Sequence, residues 1–108
     1  MDLEAEKRHL VDVSSYSINY DIHSKSRLAV RNISSEDVEE NLKDPKRLAF
    51  VRYDKQDKTK RDYYFRMSNS ITHRYIVQFD DYNRKVKVLT VIKIRNKWQY
   101  KMDRALKK

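Results

Sequence analysis

The chain has 108 residues, enough for one domain around one core, with 38% charged residues and a net charge of +9. It has no cysteine and no glycine. That excludes disulfides, thiol nucleophiles and cysteine-built zinc sites, together with phosphate loops whose backbone needs glycine for close approach. No apolar run approaches the roughly 18 residues of a membrane span and no signal-peptide pattern is present, so a soluble cytoplasmic protein with no membrane contact is expected.

Residues 2–13 read as a short helix: Leu3, Leu10 and Val13 share a face, and Asp2, Glu4 and Glu6 favour its N-terminus. Ser14 and Ser15 break the pattern. The next helix starts at Ser17 or Asp21 and runs to Asn32, with Ile18, Ile22, Ala29 and Ile33 as its apolar side. On it His23, Arg27 and Arg31 follow one another at i, i+4 and i+8, which stacks them along one stripe. Like charges at this spacing oppose helix formation, so the stripe points to an anionic partner. The alternative is architectural: a solvated face, or pairing with Asp21, Glu39 or Glu40 across a helical hairpin.

A third helix has the clearest local signals. Ser34 is a good N-cap, Asp37 stands at N3, and Ile33 and Val38 sit where a hydrophobic staple belongs. Val38 and Leu42 face the core. The helix ends at Asp44-Pro45, because the residue before proline is pushed out of the α region.

After Pro45 the hydrophobic period changes from 3.6 to 2. Residues 47–54 form a strand, 54–61 a polar, exposed and mobile connection, and 61–68 a second strand in which Tyr63, Phe65 and Met67 alternate with Tyr64, Arg66 and Ser68. Residues 72–80 follow with Tyr75, Val77 and Phe79 on one side. Residues 84–95 come last, with Val86, Val88, Ile92 and Ile94 on one face and Leu89 and Val91 opposite. Short links make these four strands an antiparallel meander. Asn96 caps a final helix at 97–107, which either packs on its own sheet or serves as a basic arm toward a partner. The expected core comprises Ile22, Ile33, Val38, Leu42, Phe65, Val77, Phe79, Val88 and Ile92.

The charge is unevenly placed. Residues 1–45 hold 6 Lys/Arg against 10 Asp/Glu, and residues 46–108 hold 19 against 6. A basic half of that size favours polyanions, nucleic acid first. Eight tyrosines interleave with the basic residues of the chain; their rings can stack on unpaired bases, although tyrosine is also simply a good strand residue.

The pattern His23-x3-Arg27-x3-Arg31-x-Ile33-Ser34-x-Glu36-x-Val38, followed by a short helix ending Asp44-Pro45 and then strands, resembles a family of small bacterial and archaeal domains of unknown function grouped with the RelE/ParE-like toxins. The match covers about residues 22–94, and in the strand half it is one of pattern only. The resemblance implies an α+β fold, N-terminal helices on a four-stranded antiparallel sheet, in a single RelE-like domain over 1–108 with 97–108 as a helix or arm. It also implies a small basic ribonuclease of a toxin–antitoxin pair. Such an enzyme cuts messenger RNA at the ribosome without a metal or other cofactor, and an acidic antitoxin neutralises it.

Metal-free cleavage of RNA needs a base, a cation for the phosphorane charge and an acid for the leaving oxygen. His23, Arg27 and Arg31 are the candidate catalytic set, with His73 and Tyr75 as further proton-transfer candidates. Tyr64, Arg66, Arg74, Lys97 and Lys101 are the candidate nucleic-acid contacts, RNA ahead of DNA. The alternative function is a non-catalytic nucleic-acid-binding or regulatory module. Three widely spaced histidines and the Asp80-Asp81 turn pair provide no metal signature.

Overall fold

A computed structural model describes residues 2–95. In chain order the elements are α1 (Leu3–Asp12), β1 (Ser17–Tyr20), α2 (Ile22–Val30), α3 (Ser35–Lys43), a 3-10 turn (Pro45–Arg47), β2 (Leu48–Tyr53), β3 (Lys60–Arg66), β4 (Ile71–Asp80) and β5 (Lys85–Arg95). The expected final helix at 97–107, with Lys97 and Lys101, lies outside the described residues.

The α+β class holds, but the sheet differs from the four-stranded antiparallel one expected. It has five strands in the order β1-β5-β4-β3-β2, and β1 runs parallel to β5. Residues 17–20, expected as the start of a helix, are therefore an edge strand. Their alternation, with Ile18 and Tyr20 on the core side, fits a half-buried strand. Asp21 marks the change of structure: its carboxylate accepts from the Ser24 N–H at 2.7 Å and caps α2.

α3 follows its sequence signals. The Ser34 hydroxyl accepts from the Asp37 N–H at 3.0 Å, and the staple pair Ile33 and Val38 is buried. α1 and α3 place Leu10, Val13, Val38 and Leu42 against Tyr63, Phe65, Tyr75, Val77, Phe79, Val86, Val88 and Val91 of the sheet. A part-buried ion pair, Arg61 Nε to Glu6 Oε1 at 3.0 Å, ties α1 to β3.

Two expectations about burial are corrected. Ile22 is 85% exposed and Ala29 is exposed, so α2 does not bury the side its apolar residues suggested. In β5, Val77 pairs with Val88 and Ile76 with Thr90, so Leu89 is an extra residue, a bulge. Beyond it the faces exchange. Val91 is fully buried, while Ile92 and Ile94, expected on the core face, fall opposite it and are only half-buried. The 54–59 connection is also braced: Asp54 Oδ1 accepts from the N–H groups of Gln56 and Asp57, and Asp57 accepts from Thr59 and Gln78.

Because the chain lacks glycine, other residues occupy its left-handed positions, Asn32 (φ 53°) and Arg84 (φ 54°). Asn32 closes α2. The Ile33 N–H donates to the Leu28 carbonyl and the Asn32 N–H to the Ala29 carbonyl, the paired bonds of a Schellman cap. No described helix is long and apolar enough to cross a membrane.

Candidate nucleic-acid interface

The residues expected to form the catalytic stripe lie in different surroundings. His23 and Arg27 are exposed on α2. Arg31, just past the helix end, turns inward and donates to the backbone carbonyl of Val91. β1 pairs only with Lys85–Val88, and among the described residues the rest of the long β5 strand has no strand neighbour on that side. α2 closes this edge: Ser24 Oγ donates to the Val88 carbonyl at 2.6 Å, Arg31 reaches Val91, and Lys93 Nζ donates to the Asn32 carbonyl at 2.7 Å.

His73 is in the core rather than beside an exposed turn, at 3% exposure. Asn41 Nδ2 donates to the Tyr75 hydroxyl at 3.0 Å, and that oxygen lies 2.7 Å from His73 Nδ1. In the tautomer with Nδ1 unprotonated, the hydroxyl donates onward to His73 Nδ1. Burial, reinforced by the nearby Lys93 ammonium and only partly opposed by Asp37, pushes the His73 pKa down to about 4. Burial likewise raises that of Tyr75. Neither group is placed to exchange protons with a surface ligand.

α1 and α3 lie on the core face, α2 lies along the β5 edge, and no described helix covers the opposite face of the sheet. The cross-strand register orders that face into rows. One row runs Ile92, Arg74, Tyr64, Phe50. Here Arg74 is committed: Nε and Nη2 reach the two carboxylate oxygens of Asp62 at 2.9 and 2.8 Å, and the guanidinium carbon lies 5.3 Å from the centre of the Tyr64 ring. Tyr64 is only 7% exposed and packs on Phe50 at 5.5 Å, so its ring is no stacking platform. Arg66 lies on the same face, half-buried.

A second row runs Asn19, Lys87, Gln78, Lys60 across β1, β5, β4 and β3, with Lys85 one step along β5 on the same face. Asn19, Gln78, Lys85 and Lys87 line an open cleft of about 500 Å³ together with Thr59, Phe79 and Asp80. Lys60, Lys85 and Lys87 make no ion pair among the described residues. Asp80 is engaged by its own turn: hydrogen bonds from the Asn83 side chain and backbone hold its carboxyl below the usual range, and Lys85 adds to this. The sequence reading missed this set. Its signal was present, since Gln78, Lys85 and Lys87 alternate with the buried Val77, Phe79, Val86 and Val88.

Among the described residues no group of three or more His, Cys, Asp or Glu side chains is arranged to hold a metal ion. Comparison of the chain with protein-family models, with curated proteins and with solved structures returned no match.

Proposed function

We propose that this chain is a nucleic-acid-binding module that grips a phosphate backbone on the face of its sheet opposite α1 and α3. The observation that carries the reading is the row of Lys87 and Lys60 with Asn19 and Gln78, extended by Lys85 along β5, above the cleft. Lysine ammonium groups release condensed counterions when they meet phosphates, and the amides of Asn19 and Gln78 add donors that hold an oxygen in place. The net charge of +9 supplies the long-range attraction. RNA is placed ahead of DNA on the strength of the resemblance to RelE/ParE-like toxins.

Cleavage of that RNA, as a metal-free toxin would perform it, needs an acid and a base beside the bound phosphate. The described histidines lie elsewhere: His9 meets Phe79 edge to face at 4.9 Å between ring centres, His23 is on the outer side of α2, and His73 is in the core. Binding is therefore the reading the geometry supports better.

The test is fluorescence anisotropy with a labelled single-stranded RNA, from about 50 to 200 mM salt. The wild type should show a steep salt dependence. Lys85→Gln/Lys87→Gln should lower the slope by about two units, whereas Arg74→Gln should change it little because Asp62 already neutralises that cation. A slope indifferent to the lysine pair would remove this face from consideration. RNA chain cuts in the same samples would restore the ribonuclease reading.

A further inference from the structure

The sheet ends at β1 on one side, and among the described residues that edge is open. The Ser17 and Asp21 N–H groups donate to the Arg84 and Val88 carbonyls, which ties β1 to the strand that ends in β5. Alternate residues of a strand bond to opposite sides, so the N–H and C=O groups of Ile18 and Tyr20 point away from β5. Among the described residues these backbone groups have no hydrogen-bond partner.

Edge strands commonly carry a charge, a proline or a bulge that turns a further strand away. β2, at the other edge, has two such devices, a bulge between Leu48 and Phe50 and the exposed Arg52. β1 has none. It reads Ser-Ile-Asn-Tyr, four uncharged residues in a chain that is 38% charged.

β1 is also complementary to itself. Turned about a two-fold axis at Asn19, a second β1 runs antiparallel with its Tyr20 opposite Ile18. The outward N–H and C=O groups of each such pair then exchange hydrogen bonds on both sides of the axis. The two Asn19 side chains meet on the face that carries the lysine row, and an amide is both donor and acceptor for its own copy. On the core face each Ile18 meets the Tyr20 of the other copy; both side chains are only half-buried in the single chain. Charge permits the approach. Asn19 is the neutral end of the lysine row, so the two Lys87 side chains start three strand spacings apart, about 14 Å, against a screening length of about 8 Å.

We infer that two copies of this chain pair through β1 into one continuous ten-stranded sheet. The row Asn19, Lys87, Gln78, Lys60 of one copy then meets its counterpart end to end, giving eight positions over about 34 Å. The pairing rests on β1 alone and holds whether or not the row takes up nucleic acid. Four residues a side make a small contact, so the dimer is weak and grows with concentration.

The test uses the full chain without nucleic acid. Because the protein has no cysteine, Asn19→Cys introduces a single thiol at the axis, where facing Cα atoms lie about 4.5 Å apart, within reach of a disulfide. Under limiting oxidant it should form a covalent dimer about tenfold faster, or more, than Ser70→Cys, an exposed thiol in the turn before β4. Sedimentation should show a dimer that grows with concentration in the wild type and is lost in Asn19→Lys and in Asn19→Asp, each of which sets like charges across the axis. Mixing these two variants should restore it. Asn19 is exposed, so each variant should melt at the wild-type temperature. Equal crosslinking rates at the two positions would overturn the inference. So would a wild type that stays monomeric up to about 1 mM, which would leave the edge to a strand of another protein. Self-association indifferent to the charge at Asn19 would also overturn it and assign the contact to another surface.

Discussion

The guanidinium of Arg31 donates to the backbone carbonyl of Val91, 60 residues further along the chain. This contact separates two arginines that share a spacing in the sequence. Arg27 stays in water, and Arg31 completes the edge of β5. Arg31→Ala should cost about 1–3 kcal/mol, since a part-buried carbonyl loses its charged donor, whereas Arg27→Ala should stay within about 0.5 kcal/mol of wild type. Urea unfolding of the two variants checks this; equal losses would show that the Val91 contact contributes nothing.

His73 makes stability depend on pH. In the unfolded chain its pKa is near 6.5, and in the fold burial lowers it to about 4. Well above pH 6.5 the ring is neutral in both states and adds no slope. Between 6.5 and about 4 the unfolded state takes up a proton that the folded state refuses, so stability falls as pH falls, by roughly 3 kcal/mol across the window. His73→Gln keeps an acceptor for the Tyr75 hydroxyl and should flatten this part of the profile. Parallel profiles for wild type and variant would assign the acid loss to other groups.

Asn32 holds a left-handed conformation in a chain without glycine. Asn32→Gly should raise stability by up to about 1 kcal/mol, because glycine enters that region without a Cβ clash. Asn32→Ala should lower it by about 1 kcal/mol, since alanine pays the clash without a polar side chain to compensate. Thermal melts of the pair decide; the same change from both would show that φ at this position is not what limits stability.

The Leu89 bulge predicts an inversion in β5. Val91→Ala should cost about 2 kcal/mol because its side chain is fully buried, and Ile92→Ala should cost less although isoleucine is the larger residue. A larger loss at Ile92 would mean that the strand keeps a single register from Val86 to Ile94.

What the sequence by itself determined lies where the physics is local. The Ser34 cap and the Ile33/Val38 staple involve groups within a few residues, and both appear as read. Pro45 divides a 3.6-residue period from a period of two, and beyond the 3-10 turn that begins there every described element is a strand. The alternations Tyr63/Phe65 and Tyr75/Val77/Phe79 put those residues in the core because a strand turns every second side chain the same way. Only the tertiary structure decided the rest. Ser17–Tyr20 is a strand because β5, far along the chain, offers it an edge; four residues hold too little pattern to reveal a distant parallel partner. The bulge at Leu89 reverses the faces beyond it through one unpaired backbone residue, which no alternation of side chains discloses. α2 shows Ile22, Ala29 and Val30 to water because the sheet edge beneath it demands hydrogen-bond donors, and Ser24 and Arg31 supply them. The candidate binding face likewise appears only when register aligns Asn19, Lys87, Gln78 and Lys60 from four strands into one row.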